Sequence, residues 1–233
     1  MSEYRHEYKY LCSMQKLAVI RNQIEPLMHF ENYAGDKGIY TIRSLYFDDY
    51  ENHCYYENAN GTVPREKFRI RIYNGDTSYI KLELKKKDYT KVKKLSCLLP
   101  KELCHEIMNG RPLPIQAVDS PVYRKFCLQQ NTKLLQPKVI VEYDRVPFVY
   151  PDGNVRVTFD MHVRSSNQLE RFLEPEIFSR LVMPMNQHIL EVKFDEYIPD
   201  FIYQTVKTEK LRQTTFSKYY ICRNPEEYGG ENI

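Results

Sequence analysis

The chain has 233 residues, of which 34 are Lys or Arg and 31 are Asp or Glu, so its net charge is only +3. This small excess excludes a protein that is basic over its whole surface, and a strong positive field must come from local clustering. The sequence contains no apolar run near the ~18 residues that a membrane-spanning helix needs, and its first residues lack the apolar core of a secretion signal. We therefore expect one domain over residues 1–233, without a transmembrane segment, in the cytoplasm, with its six cysteines reduced.

The predicted elements alternate between strands and short helices along the chain. Ser13 and Ser120 are candidate N-caps, and Asn109-Gly110 is a typical helix end. Strands are predicted at residues 4–11, 39–47, 66–73, 80–87, 95–99, 138–150, 155–163 and 188–195. Helices are predicted at residues 14–28, 50–57, 100–108, 121–128 and 199–211, with less regular structure at 169–184 and 215–222. This mixture predicts an α+β fold.

Residues 66–94 contain the strongest local signal, a β-hairpin with two chemically different faces. Asn74-Gly75 lies between its arms, and both residues tolerate the positive φ of a tight turn. Because side chains alternate along a strand, each arm has one apolar and one charged face. The apolar face carries Phe68, Ile70, Ile72, Ile80, Leu82 and Leu84. The charged face carries Lys67, Arg69, Arg71, Lys81, Glu83, Lys85 and Lys87. The simplest explanation of one such charged face is that it is exposed to water. Whether it instead lines a binding site depends on whether other strands repeat the pattern.

Five predicted strands repeat this division, and their charged faces are biased toward cations. The ten cations are Arg5, Lys9, Lys67, Arg69, Arg71, Lys81, Lys85, Lys87, Arg156 and Lys193. The five acids are Glu7, Glu83, Asp160, Glu191 and Asp195. Antiparallel strands of this kind can close so that the charged faces line a wet lumen and helices cover the apolar outside. Cations in a lumen are costly without an anion, so the pattern predicts a closed antiparallel β-barrel with a basic, anion-binding lumen.

Arg69 and Arg71 are the first candidates for binding that anion. They lie two residues apart on one strand face, so both guanidinium groups can form paired hydrogen bonds with neighbouring phosphoryl groups. The eight glycines form no phosphate-binding loop, so side chains must provide the phosphate contacts. The acids on the charged faces can hold a divalent ion that bridges phosphates, or can serve as counter-ions. For Glu83 and Asp160 we favour the counter-ion role.

A series of short motifs follows along the chain. The opening Arg5-His6-Glu7-Tyr8-Lys9-Tyr10 has the form Arg-x-Glu-x-Lys-Tyr. The later motifs are Ser44-Leu45-Tyr46-Phe47-Asp48, Lys67-Phe68-Arg69-Ile70-Arg71, Leu82-Glu83-Leu84-Lys85, Glu142-Tyr143-x-Arg145, Arg156-Val157-Thr158-Phe159-Asp160, Leu190-Glu191-Val192-Lys193-Phe194 and Phe216-Ser217-Lys218-Tyr219. Their order over residues 4–220 resembles the triphosphate tunnel metalloenzymes, and within them the VTC-type polyphosphate polymerase domain. Arg5 stands where relatives with a Glu-x-Glu-x-Lys signature have their first Glu.

The resemblance implies a tunnel-shaped barrel that binds nucleoside triphosphate and transfers its terminal phosphate to a growing polyphosphate chain. The catalytic residues implied to bind the substrate phosphates are Lys9, Arg69, Arg71, Lys85, Arg145, Arg156 and Lys218. Tyr143, Ser217 and Lys193 are implied as further substrate contacts. One of Lys91, Lys93 and Lys94 should join them, and we favour Lys91. Glu191 is implied to bind Mn²⁺ or Mg²⁺.

Two departures from the family pattern concern function more than fold. Related polymerases carry a second Lys three residues before the Lys of the Ser-Lys motif, where this chain has Thr215. A weaker phosphate grip at one mouth of the tunnel is therefore expected. Eukaryotic members also carry a phosphate-sensing domain and membrane helices that this sequence lacks, so polymer export would require a separate membrane protein as partner.

Three functions remain open at this point. The first is polyphosphate polymerisation, and the second is hydrolysis of triphosphate or short polyphosphate with water as the acceptor. The third is binding of a polyanion without catalysis. Nucleic-acid binding is disfavoured, because bases need accessible aromatic platforms and the aromatic residues lie largely on apolar faces. For either enzyme we expect Arg69→Ala or Arg71→Ala to abolish turnover and leave the fold intact.

Overall fold

The computed structural model describes residues 4–31, 34, 38–111 and 113–225, except the side chain of Thr208. Its strands are β1 (Arg5–Cys12), β2 (His29–Phe30), β3 (Tyr40–Asp48), β4 (Arg65–Tyr73), β5 (Asp76–Asp88), β6 (Lys91–Leu99), β7 (Gln136–Tyr150), β8 (Val155–Ser166), β9 (Arg180–Leu181) and β10 (His188–Phe194). Its α-helices are α1 (Met14–Ile24), α2 (His53–Ala59), α3 (Lys101–Met108), α4 (Pro121–Lys133), α5 (Asp200–Thr208) and α6 (Lys218–Arg223). Among the described helices, none has the length and apolar character needed to span a bilayer.

Eight strands form a closed antiparallel barrel. Their order is β7-β3-β4-β5-β6-β1-β10-β8, and pairing of β8 with β7 completes the ring. The short strands β2 and β9 add to β7 and β8 outside this ring. Closure removes the sheet edges and gives each barrel strand one face toward the lumen. The prediction of an α+β fold built on a closed antiparallel barrel is confirmed.

The hairpin of β4 and β5 forms as the sequence predicts. Asn74 and Gly75 adopt φ values of 51° and 71°, which a tight hairpin turn requires of its two central residues. Arg69 lies directly opposite Glu83, and Arg71 lies opposite Lys81. The register therefore gathers the charged side chains of both arms on one face, which is the face that lines the lumen.

The apolar outer faces are covered by helices. Ile70, Ile72 and Leu82 of the hairpin are fully buried in one cluster with residues of α3 and α4, including Ile107 and Phe126. A second cluster joins α1 and α5 to the outer faces of β1, β8 and β10. Burial of these side chains, at roughly 1.5–3 kcal/mol each, favours closure with the charged faces inward.

A third cluster lies where α6 meets the barrel. Tyr219 and Ile221 of α6 pack with Val139 and Val141 of β7 and with Ile189 of β10. These residues are almost completely buried. The cluster fixes α6 against the strands, so that the residues at its beginning reach the lumen.

Local signals set most element boundaries, and the differences have simple causes. Helix α1 ends at Ile24, earlier than the predicted residue 28, because Pro26 has no backbone N–H with which to continue the helical hydrogen bonds; Glu25 before it keeps helical φ and ψ. Ser13 and Ser120 cap α1 and α4, accepting hydrogen bonds from the backbone N–H groups of Lys16 and Val122. Strands β2 and β9 have two residues each, which is too short for an alternating pattern to reveal them.

Candidate active site

The lumen of the barrel contains a cavity of about 470 Å³, within the range of roughly 300–1,000 Å³ that is usual for ligand sites. Among the described residues, ten cationic side chains line it, against two carboxylates, Glu7 and Glu191. The cations are Lys9, Arg65, Lys67, Arg69, Arg71, Lys85, Lys87, Arg145, Lys193 and Lys218. Taking so many like charges out of bulk water is unfavourable until an anion compensates them, so this cavity is suited to a polyanion.

Arg69 and Arg71 lie side by side in the cavity and share a buried carboxylate. Arg69 Nε donates to Glu83 Oε2 at 2.7 Å, and Arg71 Nη1 lies 3.7 Å from the same oxygen. Arg71 Nε also donates to Ser44 Oγ at 3.1 Å. Burial opposes ionisation of Glu83, but Arg69 and Arg71 outweigh it and hold its pKa well below the usual range. Glu83 is fully buried and does not line the cavity, so it serves as a counter-ion that orients the two arginines.

Glu7 and Glu191 lie on adjacent strands and share two lysines. Lys193 Nζ is 3.3 Å from Glu7 and 2.8 Å from Glu191, and Lys9 Nζ is 3.6 Å and 3.5 Å from them. Lys85 Nζ donates to Glu7 Oε2 at 2.9 Å. Burial opposes ionisation of both carboxyls, but the lysines outweigh it and hold each pKa well below its usual range. Both groups are therefore carboxylates at neutral pH.

Helix α6 brings Lys218 into the same network. Lys218 Nζ lies 2.5 Å from Asp160 and 3.0 Å from Glu191. Burial disfavours the charged amine, but these two carboxylates outweigh it and raise the pKa of Lys218. Arg145 forms two parallel hydrogen bonds with Asp160, at 2.6 and 2.7 Å. Asp160 thus acts as the counter-ion of Arg145 and Lys218, and not of Arg156, the partner expected from the sequence.

Hydroxyl groups complete the lining. Ser217 is the N-cap of α6, and its Oγ accepts from the backbone N–H of Tyr220 at 3.4 Å. The Tyr143 hydroxyl accepts from Arg71 Nη2 at 3.3 Å, and the ring of Tyr143 lies under Lys218 and Arg145. Both hydroxyl residues line the cavity, as the sequence predicts, although their contact with substrate stays a prediction.

Arg156 is not brought into this cavity. Its Nη2 donates to Glu31 at 2.6 Å and to the Tyr40 hydroxyl at 2.9 Å. It lies opposite Lys193 on the adjacent strand, so its position in the register agrees with a lumen-facing residue. The contact with Glu31 occupies its guanidinium group, and this acid comes from outside the motifs that suggested the site.

The preference for Lys91 is corrected by the strand register. Lys91 lies opposite Asp88 and is exposed, whereas Lys85 and Lys87 face the cavity, so Lys91 belongs to the outer face. Lys94 lies directly opposite Lys85, and its Nζ donates to Glu83 at 3.1 Å. Among the three candidates, Lys94 is therefore the one on the lumen face.

Three lining cations were not among the residues that the resemblance implies to bind phosphate. Two of them, Lys67 and Lys87, are among the ten cations that the alternation assigns to the charged faces. Arg65 precedes the predicted start of its strand at residue 66. The register shows that β4 begins at Arg65, which lies opposite Lys87.

The donor set fits a divalent ion that is bound jointly with substrate. Within the described residues, no three His, Cys, Asp or Glu side chains come together as a metal site. Glu7 and Glu191 nevertheless both line the cavity and contact the same lysines. Mg²⁺ in phosphoryl-transfer sites is usually held by one or two carboxylates together with substrate phosphates. These two carboxylates match that arrangement, and a cage of protein ligands is not formed.

Solved structures with the same fold include two proteins described as cyclases. HpAC1 from Hippeastrum, described as an adenylyl cyclase candidate with a dominant triphosphatase activity, gives a TM-score of 0.59 at 12% identity, covering 98% of this chain and 97% of that one. A candidate adenylate cyclase from Bacillus halodurans gives 0.53 at 14% identity, covering 93% and 95%. At these identities the similarity concerns the fold alone.

Sequence comparison identifies the family. No curated protein sequence matches the chain. The model of the VTC domain family matches residues 4–224, which is nearly the whole sequence. The ordered motifs, the closed barrel and its cationic lumen agree with this match, and the chain belongs to the VTC domain family.

Proposed function

We propose that the protein is a divalent-metal-dependent polyphosphate polymerase, which transfers the terminal phosphate of a nucleoside triphosphate to a growing polyphosphate chain. The observation that carries this proposal is the cavity, which ten cations and two carboxylates line within the part of the chain that the structure describes. A phosphate chain is the polyanion whose closely spaced charges suit such a lining. Membership of the VTC domain family supports the same conclusion.

The residues divide into phosphate-binding groups and the groups that orient them. Arg69, Arg71 and Arg145 offer planar guanidinium groups that can each contact two phosphoryl oxygens. Lys9 and Lys218 add compact charges around the remaining oxygens. The counter-ions behind these cations restrict their motion, and such preorganised charge is the main protein contribution to phosphoryl transfer.

Glu191, with Glu7 beside it, would hold the divalent ion against the substrate phosphates. When bound, Mn²⁺ or Mg²⁺ supplies neutralisation of the charge that develops on the phosphoryl oxygens. Lys193, which contacts both carboxylates, also lines the cavity. It could therefore contact phosphate instead if the two carboxylates bound a metal ion.

The transfer replaces one phosphorus–oxygen bond with another. A terminal oxygen of the acceptor chain attacks the terminal phosphorus of the nucleotide, the bond to the bridging oxygen breaks, and nucleoside diphosphate leaves with the electron pair. An ionised phosphate oxygen needs no base to remove a proton. This suits the lumen, because Glu7 and Glu191 are stabilised as carboxylates by lysines and are therefore weak bases.

Hydrolysis of triphosphate or short polyphosphate is the second candidate. Water as an acceptor has to lose a proton, and Lys67 offers a group for it, since burial lowers the pKa of Lys67 to about 7. The triphosphatase activity named for HpAC1, which shares the fold, supports this alternative.

Incubation of the purified protein with ATP and Mn²⁺ tests the proposal, with products resolved on a gel and free phosphate measured in parallel. We expect a ladder of long polymers and formation of ADP. Stoichiometric release of free phosphate without polymer would replace the proposal with the hydrolase. Absence of turnover, despite binding of polyphosphate, would leave a polyanion-binding module.

A further inference from the structure

Three of the lining cations form a group at one end of the cavity, here called the mouth cluster: Arg65, Lys67 and Lys87. They lie on the adjacent strands β4 and β5, with Arg65 directly opposite Lys87. Asn58, Gly61 and Val63 of α2 and the following loop line the same end. The mouth cluster continues the row that Arg69 and Arg71 begin deeper in the lumen, because alternate residues of a strand share a face.

The mouth cluster differs from the rest of the lining in forming no salt bridge among the described residues, although Glu57 attracts Arg65, and Glu7 attracts Lys87, at longer range. Arg65 Nη1 donates only to backbone carbonyls, those of Thr62 at 2.7 Å and Glu57 at 3.4 Å. Lys67 Nζ donates to Asn58 Oδ1 at 3.2 Å and Ser217 Oγ at 3.3 Å, which are neutral groups.

Lys87 has neither a hydrogen bond nor an ion pair within the described part of the chain, although it lines the cavity and is half-buried. Burial, and then the positive charge of Arg65, lowers the pKa of Lys87. Burial likewise lowers the pKa of Lys67. An unpaired cation in such a place is unfavourable for the folded protein alone, and a bound anion would remove the cost.

We propose that the mouth cluster is an outer anion subsite, which binds the phosphate groups of a polyphosphate chain that extends beyond the groups held by the inner arginines and lysines. This inference rests on the proposed function, in that it takes a phosphate chain as the ligand of the lumen. Alternate residues of a strand are ~6.6–6.8 Å apart, so the row Arg65, Lys67, Arg69 and Arg71 extends over roughly 20 Å. A triphosphate group is shorter than this row, whereas a longer polyphosphate spans it.

The subsite therefore gives binding a dependence on chain length. Tripolyphosphate fills the inner lumen and gains little from the mouth cluster. A polyphosphate several times longer contacts both the inner lumen and the mouth cluster. Its additional phosphate groups supply the anionic partners that Lys67 and Lys87 lack. Ser217 and Asn58 already hold the Lys67 amine in position, so little ordering is needed on binding.

Binding titrations of tripolyphosphate and of a several-fold longer polyphosphate, without metal and at fixed salt, test this. The test variant is Lys67→Gln with Lys87→Gln. We expect about a tenfold loss of affinity for the long chain, as for loss of charged hydrogen bonds, and about a twofold change or less for tripolyphosphate. Because neither lysine pairs with a carboxylate, the variant leaves no orphaned acid and should melt at the temperature of the parent.

The matched control is Lys86→Gln with Lys93→Gln. These two lysines lie opposite each other on the outer faces of β5 and β6, so the control removes the same charge near the same strands. It should change either affinity by about twofold at most, because both lysines are half-buried on the outer face, where Lys86 lies 3.8 Å from Glu66, and charges outside the lumen are screened by salt. Equal losses of affinity for tripolyphosphate and for the long chain in the test variant would show that the mouth cluster and the inner lumen bind the same phosphates, and would overturn the subsite. Unchanged affinities, or equal effects of test and control, would also overturn it.

These titrations measure binding and not turnover. Failure of the protein to make polymer from ATP would remove the polymerase proposal and leave a length-dependent outer subsite standing. Conversely, if the protein makes polymer but its affinity for long polyphosphate does not depend on the mouth cluster, the polymerase proposal stands and the subsite proposal fails.

Discussion

The inner lumen and the mouth cluster use the same residue types in two different electrostatic settings. In the inner lumen each acid is held by two or more cations: Glu7, Glu83, Asp160 and Glu191 contact Lys9, Arg69, Arg71, Lys85, Lys94, Arg145, Lys193 and Lys218. At the mouth, Arg65, Lys67 and Lys87 contact backbone or neutral groups, or no partner among the described residues.

This difference separates two consequences of removing a cation. In the inner lumen the loss leaves a buried carboxylate with one partner fewer, so stability and binding fall together. At the mouth no carboxylate is left behind, so binding can fall while stability is unchanged or improved. Four predictions test this distinction, from the largest expected effect to the smallest.

Arg69→Ala should reduce turnover about 10²–10³-fold, as for loss of a preorganised charged donor. It should also lower the free energy of unfolding by about 3–5 kcal/mol, because fully buried Glu83 loses its nearest partner. The structure thus changes the expectation that this variant leaves the fold unaffected. Steady-state kinetics and urea unfolding check the two effects.

Arg69→Lys serves as its control, because a lysine keeps the charge and loses the planar fork. Stability should then be largely restored, while turnover stays about tenfold or more below the parent. A variant Arg69→Ala with parental turnover would refute the role of this arginine in the lumen.

Glu191→Gln should raise the Mn²⁺ concentration for half-maximal activity about tenfold, since a carboxylate ligand and its charge are lost. Asp160→Asn is the comparison, because Asp160 holds Arg145 and Lys218 and does not line the cavity. Asp160→Asn should lower stability and leave the metal titration near that of the parent. Metal titrations that shift equally in both variants would remove Glu191 as the ligand.

Asp48→Asn should lower the free energy of unfolding by about 2–3 kcal/mol. The buried Asp48 carboxylate accepts from the backbone N–H groups of Cys54 and Tyr55 and from the Tyr219 hydroxyl, at 2.9, 3.0 and 2.5 Å. It therefore ties α2 to α6, the helices that bring Asn58 and Ser217 to the mouth cluster. Chemical unfolding measures the loss, and an unchanged midpoint would show that these bonds are dispensable.

The pH dependence of long-chain binding should change most in Lys67→Gln. Burial lowers the pKa of Lys67 to about 7, so its charge, and the affinity it supports, is present below that pH and lost above it. The groups that face this amine are Asn58, Cys54, Arg65, Arg69, Lys9, Ser217 and Tyr219.

Of these, the Lys9 pKa is raised and the Cys54 pKa is raised, so neither changes charge near pH 7. The parent should lose several-fold more affinity between pH 6 and 8 than Lys67→Gln does, an effect of roughly one charged hydrogen bond. Ionisation of the phosphate chain is common to both proteins and cancels in the comparison. If affinity depends on pH in the same way in the parent and in Lys67→Gln, the charge of Lys67 does not contribute to binding.

Local sequence signals predicted the elements well where a physical pattern was long enough to read. The hairpin of β4 and β5 follows from alternation and Asn74-Gly75, and the caps at Ser13 and Ser120 follow from side chains that satisfy free N–H groups. Most of the predicted phosphate-binding residues share one cavity because they lie on the charged faces of their strands, whereas helix α6 brings Lys218 there. Arg156 and Lys91 are the exceptions: Arg156 pairs with Glu31, which is distant in sequence, and the register of the hairpin of β5 and β6 places Lys91 on the outer face.

The alternation of apolar and charged residues by itself determined that the barrel turns its cations inward, because burying the apolar faces under helices is the larger gain. Only the tertiary structure decided which cations receive a carboxylate partner. Register places Glu83 opposite Arg69 and carries Lys94, not Lys91, onto the lumen face. Closure brings Asp160 to Lys218 and leaves Lys67 with neutral neighbours. The pairings made by closure join residues far apart in the chain, and no local periodicity encodes them.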